Sequence, residues 1–166
     1  MRCKEVLITN RTPSLQDPVG SVFHRASVAI RCALDAAIAQ QVSPELTGLR
    51  GMALGFIVEC SKMGKPVYQR DLENRFHINR SSVTVMLQGL EQSGFIIRTA
   101  VEQDARLKSL SPTQKGLDCN QAVRDCVHDF EFQIRSGVAQ QDLEAAYRVI
   151  RRILQNLEEQ QSAAKE

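Results

Sequence analysis

The sequence predicts a mainly α chain of the α+β kind: a winged helix-turn-helix with a small β-hairpin wing, bracketed by long N- and C-terminal helices. Three observations predict it. Apolar residues recur at helical spacing through most of the chain; two short helical segments meet at the turn His77-Ile78-Asn79; and two β-type runs, Phe95–Thr99 and Arg106–Leu110, follow directly behind them.

Composition agrees with this class. A chain of 166 residues fits one domain with appended helices and is long enough to bury a core. With 43% hydrophobic and 24% charged residues and no Trp, it suits a soluble helical protein. The net charge of +2 gives no whole-chain argument for a polyanionic partner. Its distribution does: Lys62 to Lys108 holds eight basic residues against five acidic ones. The five cysteines (Cys3, Cys32, Cys60, Cys119 and Cys126) are odd in number and far apart, with no zinc-type spacing, which points to reduced thiols in the cytoplasm. The first twenty residues lack the apolar centre of a secretory signal, and no stretch is apolar enough to span a membrane. His24, His77 and His128 are scattered, so no metal site is expected. Nor does any nucleophile–base order, glycine-rich phosphate loop or paired-carboxylate motif appear, so neither catalysis nor a cofactor is expected.

Read in order, residues 1–16 form an arm without periodicity. Asp17 caps a first helix with Pro18 at its first position, running to about Gln41, where Ser43-Pro44 ends it. A second helix from Thr47 to Lys62 is apolar on nearly every side and therefore internal, with Gly48, Gly51 and Gly55 on one stripe where another backbone can approach. After the turn Met63–Pro66, a short helix spans Gln69–Phe76. Asn79 caps the next, Arg80–Gln92, whose inner stripe is Val83, Leu87 and Leu90, and Gly94 closes it. The hairpin turns over Ala100–Ala105. Ser111-Pro112-Thr113-Gln114 reads as a capping box, with Ser111 the cap of a long helix that buries Leu117, Val123, Val127, Phe130 and Ile134 and ends near Arg135. Gly137 separates it from a last helix, Gln140–Gln160.

That last helix carries Leu143, Tyr147, Ile150, Ile153 and Leu157 at heptad spacing. It is too short for an autonomous coiled coil, so the stripe needs a partner surface. The organisation expected is one domain over 17–160, in which segments 17–42 and 112–160 serve dimerisation around a lobe at 47–111, followed by a tail at 161–166.

Candidate functional residues cluster on the helix after Asn79. Its outer face bears Ser81, Ser82, Thr84, Val85 and Gln88, where a solvated face would normally carry Lys and Glu. Small hydroxyls, an apolar contact for thymine methyl groups and an amide able to pair with adenine suit the major groove of a duplex. Arg80, Arg98 and Lys108 are placed for phosphates, and Arg70 and Asn79 complete the candidate set. The plainer alternative is the surface helix of a winged-helix module that binds proteins and not DNA. At the wing tip, Asp104 and Arg106 are two residues apart, so an extended strand presents them on one side, where Arg106 can enter a minor groove and Asp104 can orient it. Their plainer alternative is a surface ion pair.

At this point the chain resembles the MarR (multiple antibiotic resistance regulator) family of bacterial transcription factors. The resemblance rests on Tyr68-Gln69-Arg70-Asp71-Leu72, Asn79-Arg80-Ser81-Ser82-Val83-Thr84, Leu90 to Ile96, and Asp104-Ala105-Arg106 followed by Leu110 to Gly116. It covers about residues 66–117 well, and the order of helices extends it over 17–160. It implies a homodimer whose first and last two helices intertwine, two winged lobes on successive major grooves of a near-palindromic operator, and a small, often phenolic or amphipathic, effector bound between the dimer helices and the lobe. Repression relieved by that effector is the expected mode. Val85 departs from the many relatives with a larger polar or basic residue there, which leaves base preference open. Some relatives sense peroxides through a cysteine in the first helix, and Cys32 lies deep in that helix, so a thiol-based redox-sensing regulator is the other alternative; buried small hydrophobes are the plainer reading of these cysteines.

Overall fold

The computed structural model describes residues 12–101 and 104–163, with only the backbone at Asp104, Ala105 and Arg106. The order is α1 (Val19–Gln41), a 3-10 turn (Pro44–Leu46), α2 (Leu49–Lys62), β1 (Val67–Tyr68), α3 (Gln69–Phe76), α4 (Arg80–Gln92), β2 (Ile96–Val101), β3 (Asp104–Pro112), α5 (Gln114–Arg135) and α6 (Gln140–Ala163). The expected arm at 1–16 lies mostly outside the described residues, as do Cys3 and part of the tail. By internal contacts the chain divides into two compact units at Phe130/Glu131.

In the first unit, α2 supplies the centre of the core, with Ala53, Leu54, Ile57 and Val58 all buried. Packed with them are Leu72 of α3, Val83, Leu87 and Leu90 of α4, and Phe95 and Ile96 at the entry to β2. The inner stripe expected for α4 is therefore the buried one. The sheet has order β1-β3-β2 and is antiparallel throughout. Val67 pairs with Leu110 and Tyr68 with Ser109, so β1, which the sequence did not signal, forms the third strand. Between β2 and β3 the register slips at Ala100/Val101, and the strands extend further than expected, leaving a shorter tip.

Several boundaries are corrected. Pro18, and not Asp17, occupies the cap position of α1, because the Pro18 carbonyl accepts from Ser21 and Val22. Asp17 instead accepts from the Ser14 amide at 2.9 Å. Ser43 does not simply end α1; its hydroxyl accepts from the Glu45 amide and caps the 3-10 turn. That turn delays α2 to Leu49, with Gly48 outside the helix as its cap. Of the glycine stripe, Gly51 is the position that meets close backbone: the Leu46 carbonyl fills the place a Cβ would take.

The largest correction concerns the start of α5. Ser111 and Pro112 are still in β3, opposite Ile97 and Ile96, so Ser111 cannot cap the helix. Thr113 does: its hydroxyl accepts from the Gly116 amide at 3.0 Å and donates to the Gly94 carbonyl at 2.6 Å. The face that α5 buries is Gly116, Asn120, Cys126 and Phe130, while Leu117, Val123 and Val127 are half-buried and Ile134, in the second unit, is 42% exposed. Within the second unit, α6 has no buried residue.

If Thr113 is the cap, Thr113→Ala costs about 0.5–2 kcal/mol of stability, the usual value of a cap side chain. Ser111→Ala changes stability much less. Equal losses in chemical denaturation would return the cap to Ser111.

Candidate nucleic-acid interface

Asn79 sets the first turn of α4. Its Oδ1 accepts from the Ser82 amide, an orphan donor of the helix start, and from the Ser81 hydroxyl, both at 2.8 Å. At the other end Gly94 adopts φ 73°, which lets the chain leave α4 and enter β2. Both ends of the helix are thus defined by local chemistry.

Its angle to α3 is held by Gln69. The Gln69 side-chain amide lies 2.9 Å from the Thr84 hydroxyl, 3.3 Å from the Arg80 carbonyl and 3.0 Å from the Glu73 carboxylate. Thr84 in turn donates to the Arg80 carbonyl at 2.8 Å. Gln69 was not singled out from the sequence, and Thr84 was expected to read bases. In the structure Thr84 is half-buried with its hydroxyl bonded on both sides, so it positions the helix.

The outer face that remains is Ser81, Ser82, Val85 and Gln88, all exposed. Among the described residues, no hydrogen bond engages the Ser82 or Gln88 side chain. Val85, 62% exposed, is the apolar group of this otherwise polar face. Arg70, Arg80 and Lys108 are exposed as well. The side chains of Asp104 and Arg106 lie outside the described residues.

Arg98 departs from its expected role. It is placed on β2 beside Glu91, with Nε 3.0 Å from Oε2, and its side chain keeps only 15% of its accessible surface. The pair is close, yet Nε and Nη2 are buried without a hydrogen bond of good angle. A side chain folded in this way covers the junction of α4 and the wing with its aliphatic stem and is not free to reach a phosphate.

Among the described thiols, Cys32 is half-buried on α1. Cys60 and Cys119 are half-buried against the core, and Cys126 is buried. Burial first, and the Asp129 carboxylate second, push the Cys126 thiol up, away from the thiolate that oxidants attack. No cluster of His, Cys, Asp or Glu among the described residues could hold a metal, and no described helix is long and apolar enough to cross a membrane.

The sequence model of the MarR family matches residues 57–108, the span from the middle of α2 to β3. Over those residues the chain is similar to the MarR family. Solved structures extend the likeness beyond those residues as a likeness of fold. A MepR mutant of Staphylococcus aureus aligns with a TM-score of 0.71 and 19% identity over 85% of this chain and 99% of that one. The heme sensor PefR of Streptococcus agalactiae, in complex with heme, gives 0.67 and 19% over 86% and 95%. The transcription regulator MarR of Oenococcus oeni gives 0.58 and 24% over 83% and 99%. No curated protein matches.

Truncating Arg98 separates its observed placement from a phosphate role. Arg98→Ala is expected to lower stability by about 1–3 kcal/mol through poorer packing and an unpaired Glu91. The salt dependence of any DNA binding stays as in the parent. A stable variant with a shallower salt slope would restore the phosphate assignment.

Proposed function

We propose that the chain is a homodimeric, sequence-specific transcription regulator that binds near-palindromic duplex DNA in the cytoplasm and acts as a repressor released by a small amphipathic or phenolic effector. The observation that carries this reading is the outer face of α4. Ser82, Val85 and Gln88 stand exposed on a helix capped at both ends, with Arg80 at its first position and Arg70 and Lys108 exposed on α3 and β3. Donors, an acceptor and an apolar group offered together match the edges of base pairs, and the flanking cations match the phosphates on either side.

The likeness to the MarR family over residues 57–108 supports the same reading, since a MepR variant of similar fold was solved bound to an oligodeoxyribonucleotide. Arg106, at the wing, is assigned the minor groove by the Asp-x-Arg resemblance, with Asp104 orienting it.

Dimerisation is assigned to α6. Tyr147, Leu154 and Leu157 are about half exposed and Ile150 is 37% exposed, with Leu143 and Ile153 half-buried on the same stripe. A row of apolar side chains this long is rarely left to water. A second copy of the chain supplies the missing surface and gives the two half-site readers that a palindrome needs.

Two experiments test these assignments. Gln88→Ala should cost about 1–3 kcal/mol on the preferred operator and relax preference at one base position per half-site. A loss of the same factor on operator and scrambled duplexes would remove Gln88 from base reading. Changing Ile150 and Leu157 together to Asp should give monomers or insoluble chain by sedimentation. A soluble double variant that is still dimeric and still binds DNA would place the dimer interface elsewhere.

A further inference from the structure

Beside the reading face lies an open cleft of about 520 Å³ that the helix-turn-helix does not account for. One wall is α4, through Ser81, Ser82, Val85 and Met86; the other is the segment from the 3-10 turn to the first turn of α2, through Pro44, Thr47, Leu49 and Arg50. Arg50 is the cation of this cleft. No carboxylate among the described residues lies within ion-pairing distance of it, in contrast to Arg98. Its guanidinium is laid across Gly89, so closely that a Cβ there would stand 2.7 Å from Nη2. Gly89 continues the row of Ser81/Ser82 and Val85 one turn further along α4. The glycine thus leaves the space in which an arginine from another helix is held against the reading helix.

We propose that this second wall belongs to the DNA interface: the cleft receives one sugar–phosphate strand bordering the major groove, and Arg50 pairs with its phosphate. The inference rests on the proposed function and extends its footprint from α3, α4 and the wing to residues 44–50. The chemistry of the cleft fits such a strand. An unpaired guanidinium suits a phosphate diester, and Pro44, Leu49, Val85 and Met86 give an apolar surface for the deoxyribose between phosphates. Thr47 already donates to the Pro44 carbonyl and Ser81 to Asn79, which leaves the guanidinium as the dominant polar group. A strand lying here is beside the bases that Ser82, Val85 and Gln88 face, so one duplex satisfies both surfaces.

The test measures affinity of the full chain for operator and scrambled duplexes over a salt series, with Arg50→Ala, Gly89→Ala and the double variant. If the parent binds neither duplex, the proposed function fails as a whole. With a binding parent, Arg50→Ala should weaken both duplexes by the same factor and reduce the slope of log affinity against log salt by about 0.9 for each phosphate that a subunit no longer neutralises. Gly89→Ala keeps the charge but displaces the guanidinium from its seat, and Ala is the better helix former, so this variant folds. It should weaken both duplexes less than Arg50→Ala does and add nothing to Arg50→Ala in the double variant. The proposal is overturned by a parent-like slope in Arg50→Ala. It is equally overturned if that variant weakens the operator alone, which is base reading, or if Gly89→Ala weakens binding as much without Arg50 as with it.

Discussion

The lobe depends on one short bridge. The Thr113 hydroxyl donates to the Gly94 carbonyl and accepts from the Gly116 amide, while the Phe95 carbonyl occupies the space that a side chain at residue 116 would fill. Those contacts join three elements at a point: the end of α4, the first strand of the wing, and the beginning of α5. Each donor and acceptor involved would otherwise be an orphan of a helix end or a strand end, and burying it unpaired costs more than the bond itself contributes. Phe95 is 1% exposed at this junction and packs into the core from it. Wing position, reading-helix exit and α5 direction are consequently set together and not one by one.

A second, softer constraint sets the other end of α4. Gln69 reaches across the turn to Thr84 and the Arg80 carbonyl, so α3 and α4 share hydrogen bonds as well as a core. Asn79 fixes the start of α4 within its own chain segment; Gln69 fixes where that start lies relative to α3. The separation of roles leaves Ser82, Val85 and Gln88 with no structural duty.

Much of this was legible in the sequence, and the reason is locality. Asn79, Gly94 and the Val83, Leu87, Leu90 stripe are decided within a few residues of themselves, and each was found where expected. What was missed is decided by distant partners. The stretch Ser111-Pro112-Thr113-Gln114 offers two cap-type residues, and only the Gly94 carbonyl, brought in by the fold, selects Thr113. The two residues of β1 are too few for a period. The run Phe95-Ile96-Ile97 hides the phase of β2, and so hides that Arg98 folds in toward Glu91. On α5, Gly116 and Asn120 are buried where an apolar pattern points elsewhere. Thr84 looks from its spacing like its neighbours Ser81 and Val85; its hydroxyl is spent on Gln69 and Arg80. Arg50 carried no signal, because its place beside α4 comes from the crossing of α2.

The division of labour along α4 bears on how such a chain can diverge. Residues that orient the helix and residues that face outward are different sets, with Gln69, Asn79 and Thr84 in the first and Ser82, Val85 and Gln88 in the second. Gene duplicates could therefore exchange the outward set in single steps, each nearly neutral for folding, and drift to new target sites while the docking geometry is inherited unchanged.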